Sequence, residues 1–265
     1  MPHSPDTMQQ PPEPPLEPSL EHPLEPPLEH GHSLGEIRQR LARARNGQGM
    51  LRDAVYGAMD GAVTTFAIVA GVQGAGLSIH VVLALGFANL LADGFSMAAG
   101  NYTGTKSERD EIARLKAIEN KHIKVAPDGE RSELREILRA KGLNGTVLDA
   151  ATDAIAKQPE HWVDMMLIDE YGVSPNPPDP IRAAACTYAA FLVAGLLPLL
   201  PFALGMPAPF LSASIMTLFA FFMIGAIKSR WSLSSWLASG METLLIGSVA
   251  AGIAYGVGHF FNIGS

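Results

Sequence analysis

The sequence has few of the residues that several common kinds of protein require. Among its 265 residues there is a single cysteine, Cys186, which excludes a disulfide framework and a cysteine-rich zinc site. Basic residues number 19 against 26 acidic ones, and the net charge of −7 argues against nucleic acid as a partner. Residues 1–33 contain no apolar run, so we expect no secretory signal there.

The N-terminal part of the chain has two distinct compositions. Residues 1–33 are rich in proline, glutamate and histidine, and proline at this density predicts a disordered tail. Residues 34–52 have the pattern of a basic amphipathic helix, with Ser33 as N-cap and Glu36 three residues later. We expect the arginines of this helix to lie at a cytosolic membrane surface.

Apolar stretches make up most of the remaining chain, and each is close to the roughly 20 residues that cross a bilayer. They are residues 54–78, 80–104, 181–204, 208–227 and 236–261. Their many small residues permit close helix packing in lipid, and Pro198 and Pro201 are expected to kink the third. We therefore predict an all-α membrane protein with five transmembrane helices, two within 53–104 and three within 181–265.

Basic residues predict how these spans are oriented. The connections between spans one and two, and between three and four, contain no lysine or arginine. The basic residues near the other span ends are Arg52, Lys106, Arg109, Arg182, Lys228 and Arg230. The positive-inside rule then places the N-terminus and residues 105–180 in the cytosol, and the C-terminus on the opposite side.

Residues 105–180 have the pattern of an inserted helical domain. We expect the second span to continue as a helix to about Val125, and Pro127-Asp128-Gly129 to form a turn. Further helices are predicted from Ser132, from about Thr146 to Lys157, and from Pro159.

Metal-binding side chains recur along one face of the long helix that would join the second span to this domain. They are Asp93, Met97, Glu108, Glu111, Glu119 and His122. An α-helix turns about 100° per residue, so these side chains fall within an arc of roughly 80°. Carboxylate and imidazole suit Fe²⁺, Mn²⁺ and Zn²⁺, and a thioether adds a softer ligand. The alternative is a solvated acidic face paired with neighbouring lysines and arginines.

The spans and the last soluble helix contain further candidates. Asp60 is a carboxylate within an apolar run, where functional residues are over-represented because charge is costly there. The alternative for Asp60 is a side chain that reaches interfacial water. The alternative for Asp93 is a structural hydrogen bond between helices. The segment HWVDMMLIDEYG adds Met165, Met166, Asp169 and Glu170.

Several segments, in this order, resemble the vacuolar iron transporter family. The resemblance covers roughly residues 48–261 and rests on DGAVTTFAIVAG, SMAAGNY, the ExxE…ExxH run, WVDMMLIDEYG, GLLPLLPF and TLLIGSVAAGIAYGVG. It implies a homodimer of five-span subunits with a cytosolic helical metal-binding domain between spans two and three. It also implies export of Fe²⁺ from the cytosol in exchange for protons.

The resemblance also implies roles for individual residues. Asp60 and Met97 match residues on the membrane path. The residues that match metal-binding positions of the cytosolic domain are Glu108, Glu111, Glu119, Met166 and Glu170.

The chain departs from the family pattern at three positions. His122 replaces a glutamate, which keeps a metal ligand but changes its chemistry. Leu167 stands at the second methionine of the family, with Met165 close by. Asn89 replaces a glutamate of the second span, and Asp93, one turn later, is the candidate substitute for it.

We therefore expect a transporter of Fe²⁺ rather than an enzyme, with protons as the exchanged ion and no organic cofactor. Mn²⁺, Zn²⁺ and Co²⁺ are alternative cargo, because ligand type does not separate these ions from Fe²⁺. A membrane-anchored metal sensor is one alternative function. A ferritin-like di-iron oxidase is another, although such a site needs two ExxH helices and the chain offers one, Glu119 to His122. The high alanine and glycine content favours a bacterial inner membrane over a vacuolar one.

Overall fold

A computed structural model describes residues 33–44 and 50–263, and in these residues every regular element is helical. The helices are α1 (Leu34–Ala44), α2 (Met50–Gly74), α3 (Ile79–Val125), α4 (Pro127–Ala140), α5 (Gly145–Ala156), α6 (Pro159–Asp169), α7 (Pro180–Leu196), α8 (Leu200–Ala203), α9 (Pro209–Lys228) and α10 (Trp236–Ile263). The predicted all-α class is confirmed. The predicted disordered tail, apart from Ser33, lies outside the described residues.

The first helix begins where the sequence predicts. Ser33 Oγ accepts a hydrogen bond from the Glu36 amide at 3.3 Å, and the Glu36 carboxylate accepts one from the Ser33 amide at 3.2 Å. This reciprocal pair is a capping box, which satisfies amide groups that the first turn leaves free. The helix is described from Leu34 to Ala44, residues 45–49 of the predicted helix lie outside the described residues, and Met50 begins the next helix.

Within the described residues, five helical segments are long and apolar enough to cross a membrane, as predicted. They are Met50–Gly74, Ile79–Val125, Pro180–Ala203, Pro209–Trp231 and Trp236–Asn262. The third is interrupted between Leu196 and Leu200, around Pro198, which cannot donate the backbone hydrogen bond that a continuous helix needs. The predicted kink of this span is therefore confirmed.

Close packing of α2 against α7 forms the centre of the bundle. Gly57 and Gly61 of α2 lie directly against the backbone of Thr187 and Phe191 of α7. An apolar core surrounds this crossing and includes Phe66, Val69, Val82, Leu90, Phe191 and Leu199. The small residues of α2 thus let two spans approach closely, as expected for helix association in lipid.

Helix α3, which contains the second span, is far longer than one membrane crossing requires. Its 47 residues span about 70 Å, whereas the hydrocarbon core of a bilayer is about 30 Å thick. The helix ends at Val125, as predicted, so about 40 Å of its length exceeds what one crossing needs.

Helices α4 and α6 pack against this extension of α3, and α5 packs against both of them. One apolar cluster contains Leu134, Leu138, Leu148, Trp162 and Met166, and a second contains Ile112, Leu115, Val163 and Leu167. The turn predicted at residues 127–129 is wrong, because α4 begins at Pro127. Proline suits the first position of a helix, and it keeps the preceding residue, Ala126, out of the helical conformation.

Candidate functional site

Glu119, His122 and Glu130 come together where α3 ends and α4 begins, and we call them the carboxylate–histidine cluster. Glu119 and His122 are one turn apart on α3, and Glu130 is in the first turn of α4. His122 Nδ1 lies 3.3 Å from Glu130 Oε1 and 3.9 Å from Glu119 Oε1. One ligand atom from each residue lies within 4.8 Å of the others, which is a spacing suited to a shared metal ion.

The two carboxylates of the cluster are buried. Glu119 is 1% exposed and Glu130 is 5% exposed, whereas His122 lies at the surface. Tyr171 donates a hydrogen bond from its hydroxyl to Glu119 Oε1 at 2.8 Å. The second oxygen of each carboxylate, Oε2, has no hydrogen-bond partner among the described residues. Buried polar atoms are normally paired, so these two oxygens are costly unless a ligand meets them.

The electrostatics of the cluster follow from this burial. Loss of water, together with the negative charges of Glu119 and Glu133, raises the pKa of Glu130 to about 7, against a smaller opposing effect of His122. Burial and the charge of Glu119 likewise raise the pKa of Glu170 above its ordinary value. Negative charge is therefore concentrated here beyond what the neighbouring groups neutralise, which attracts cations.

The other predicted ligands of the last soluble helix lie beside the cluster. Glu133, Met166, Asp169 and Glu170 line a cavity of about 470 Å³ between α4 and α6. Met166 is fully buried in the apolar core, and Asp169 pairs with Lys141 at 2.6 Å. Met165 is half-buried against the same core. Glu170 interacts electrostatically with Glu119 and His122.

Glu108 and Glu111 do not join the carboxylate–histidine cluster. Both are exposed on α3, and Glu108 lies about 16 Å below Glu119 along the helix axis. The acidic face predicted from the sequence is thus divided into a buried upper part and an exposed lower part.

A cavity of about 610 Å³, with several polar side chains in its lining, lies where α3 enters the bundle. It is lined by Arg52, Asp53, Tyr56, Met97, Asn101, Thr105 and Glu108, among others. Asn101 donates a hydrogen bond to Thr187 Oγ1 at 2.7 Å, which fixes the amide at the bundle wall. The cavity joins Glu108, outside the bundle, to Met97, inside it.

Asp60, Asn89 and Asp93 lie deeper in the bundle and are half-buried. Asn89 Nδ2 donates to Thr64 Oγ1 at 3.4 Å, and Thr64 Oγ1 donates to the Asp60 carbonyl at 2.9 Å. Asp93 is close enough to Asp60 for the two negative charges to repel each other. Since α2 begins at Met50, Asp60 is about three turns into the span, deeper than the sequence boundaries placed it.

Sequence reasoning missed three acidic residues that the structure places at these positions. Glu130 and Glu133 are three residues apart on α4, a spacing that puts both on one helix face. Asp53 is 3% exposed and lines the cavity of about 610 Å³. It was missed because the first predicted span began one residue after it. The signal for Glu130 and Asp53 was an acidic side chain in the first turn of a helix, where the helix dipole alone would also favour it.

Five membrane-length helices, with helices α4 to α6 inserted between the second and third, define a multi-pass integral membrane protein. The family model for the VIT family matches residues 51–259, and the chain belongs to this family. The resemblance found in the sequence is therefore confirmed.

Relatives share about a third of their residues with this chain. It is 35% identical to vacuolar iron transporter 1 of Arabidopsis thaliana over 210 residues, and this alignment covers 78% of this chain and 84% of the relative. Vacuolar iron transporter 1 of Eucalyptus grandis is 33% identical over 212 residues, with 78% and 85% covered. The vacuolar iron transporter of Toxoplasma gondii is 32% identical over 225 residues, with 80% and 74% covered. These relatives are named as transporters, and the expectation that the chain is not an enzyme is confirmed.

Proposed function

We propose that this protein carries Fe²⁺ across a membrane. The observation that carries the proposal is the continuity of α3, which holds Asp93 and Met97 inside the bundle and Glu119 and His122 outside it. Ligands for a divalent metal thus occur on both sides of the membrane boundary along one rigid element. The names of the relatives, vacuolar iron transporters, support iron as the cargo.

The proposed route begins outside the bilayer. Glu119, His122 and Glu170 collect the ion, with Met166 in the adjoining core as a soft neighbour. Glu111 and Glu108 are exposed, so they attract the hydrated ion and lead it to the cavity that contains Met97. Asp60 and Asp93 then receive it inside the bundle.

Proton exchange is the proposed release step. Metal ions and protons compete for the same carboxylate lone pairs, so protonation of Asp60 or Asp93 from the opposite side weakens metal binding. The repulsion between these two carboxylates supports this step, because it favours either a cation or a proton between them.

The direction of transport follows from the proposed orientation. The positive-inside rule places α4 to α6 in the cytosol, so the protein would export Fe²⁺ from the cytosol. The proposal also includes a homodimer, which the family resemblance supports. It further includes a bacterial inner membrane as the location, which the high alanine and glycine content supports. Mn²⁺ is the alternative cargo, with Zn²⁺ and Co²⁺ next, since oxygen and nitrogen ligands bind all four.

Flux into proteoliposomes that contain the purified full-length chain and an internal pH dye tests the proposal. Fe²⁺ and Mn²⁺ are compared with and without an imposed proton gradient. Asp60→Asn should abolish metal uptake and the coupled pH change while leaving oligomer assembly intact. Asp110→Asn is the matched control on the exposed face of α3, where Asp110 pairs with Lys106, and its flux should equal that of the wild type.

Two results would contradict the proposal. Normal uptake by Asp60→Asn would show that the ion does not pass this carboxylate. Metal binding by the wild type without flux under any gradient would favour the sensor instead.

A further inference from the structure

Glu130 occupies the carboxylate–histidine cluster, although neither its position in the sequence nor the family resemblance gives it a role. It belongs to α4, whereas Glu119 and His122 belong to α3. The break at Ala126 folds α4 back so that the carboxylate of Glu130 lies 3.3 Å from the imidazole of His122.

Apolar packing does not explain why two carboxylates are buried side by side. Glu119 Oε2 and Glu130 Oε2 are both shielded from solvent and without a hydrogen-bond partner in the part of the chain that the structure describes. An ionised carboxylate accepts about four hydrogen bonds, but the contacts here are Tyr171 to Glu119 and the weaker pairing with His122. The protein therefore leaves an excess of acceptors that a cation would satisfy.

The spacing of the three side chains fits one bound ion. Ligand atoms held at about 2.0–2.2 Å from one metal ion lie about 3–4 Å from each other. The two separations from His122 Nδ1, 3.3 Å and 3.9 Å, fall in this range. His122 is half-exposed, which gives the ion access from solvent to the two buried carboxylates.

We propose that Glu130 is a metal ligand and that Glu119, His122 and Glu130 form a three-residue site for a first-row divalent transition metal. One imidazole with two carboxylates favours Fe²⁺, Mn²⁺, Co²⁺ or Zn²⁺ over Ca²⁺ and Mg²⁺, which prefer oxygen ligands alone. The proposal rests on the metal cargo of the proposed function and adds to it that α4 closes the site. Because the ligands come from both sides of Ala126, metal binding also fixes α4 against α3.

Co²⁺ titration of the full-length protein in detergent tests this assignment. Co²⁺ is the probe because its visible absorption reports the ligands bound to it. Glu130→Gln keeps the shape of the side chain and removes its charge, and we expect it to lower Co²⁺ affinity at least about 10-fold, as loss of even an outer contact does at metal sites. Glu130→His, which restores a ligand atom, should bind more tightly than Glu130→Gln, and excess Ca²⁺ should not displace Co²⁺.

Asp149→Asn is the matched control. Asp149 is exposed on α5, pairs with Arg135 of α4 at 3.0 Å and lies outside the cavity beside the cluster, so this variant removes one acidic charge away from the site. We expect its Co²⁺ affinity to stay within about 2-fold of the wild type, because exposed charges act weakly at a distance.

The outcomes separate this inference from the transport proposal. Equal Co²⁺ affinity in the wild type, Glu130→Gln and Asp149→Asn overturns the role of Glu130, while wild-type iron flux, measured separately, would still support transport. A wild type that transports iron but binds no Co²⁺ also overturns the site, and His122 would then be a charged partner of the two carboxylates. Absence of flux with Co²⁺ binding retained would contradict the transport proposal alone.

Discussion

Replacing Gly61 by alanine should disrupt the crossing of α2 and α7. A Cβ atom at residue 61 would lie 2.3 Å from the carbonyl oxygen of Phe191 and 2.9 Å from its Cα, whereas ordinary contacts begin at about 3.4 Å. The obstacle is backbone, which cannot rotate away as a side chain does. The two helices must therefore separate by about 1 Å, and overpacking of this kind costs about 1–3 kcal/mol.

Thermal unfolding of the purified protein in detergent measures this cost. Gly252→Ala is the matched control, because Gly252 is a helical glycine of α10 with nothing within 4 Å of the added Cβ atom. That variant should be neutral or gain about 0.5–1 kcal/mol from the higher helix propensity of alanine. Gly61→Ala should unfold at a clearly lower temperature than both Gly252→Ala and the wild type. Equal unfolding temperatures for the two variants would refute the close approach of α2 and α7. Since Asp60 is adjacent to Gly61, iron flux should fall together with stability.

Three more predictions concern the helices beyond the bundle. The pKa of Glu130 is raised from 4.5 to about 7 in the folded chain. Between these two pH values the folded chain keeps a proton that the unfolded chain releases, so the protein loses stability as the pH rises from 4.5 to 7. Chemical unfolding in EDTA should show that the free energy of unfolding falls by about 3 kcal/mol between pH 4.5 and 7 because of this group. This fall should be absent in Glu130→Gln, and identical pH profiles of the two proteins would contradict the prediction. Tyr171→Phe leaves the buried Glu119 without its donor and should cost about 1–3 kcal/mol in the same assay, so unchanged stability would argue against that hydrogen bond. Leu134 is fully buried, so Leu134→Ala should lower the free energy of unfolding by about 2–5 kcal/mol. Val147 is 65% exposed, and an equal effect of the control Val147→Ala would show that the core lies elsewhere.

The main features of the fold could be predicted because they depend on local properties of the chain. Apolar length alone located five spans, and the regular spacing of acidic residues extended the second span to Val125. Pro198 located the interruption of the third span, because proline cannot complete the helical hydrogen-bond pattern.

The composition of the carboxylate–histidine cluster could not be predicted in the same way. Glu119 and His122 share a helix, and their spacing showed that they face the same direction. Glu130 reaches them through a reversal of chain direction at Ala126, and Pro127-Asp128-Gly129 has the composition of a turn as well as of a helix start. Tertiary packing of α4 against α3 decides between the two, and a single sequence does not contain that information in local form.

The length of α3 constrains how an ion would pass from one end of the protein to the other. His122 and Met97 are about 38 Å apart along the helix axis, so one ion cannot contact the cluster and the membrane path together. Metal–ligand bonds of about 2 Å likewise prevent direct transfer across the 16 Å or so between Glu119 and Glu108. The ion must therefore leave the upper site and be rehydrated before it enters the lower cavity. Exposed Glu111 and Glu108 suit this intermediate stage, because exposed carboxylates attract a hydrated cation without removing its water. Tight binding at the upper site would slow this departure, so efficient transport requires that the cluster hold its ion only moderately.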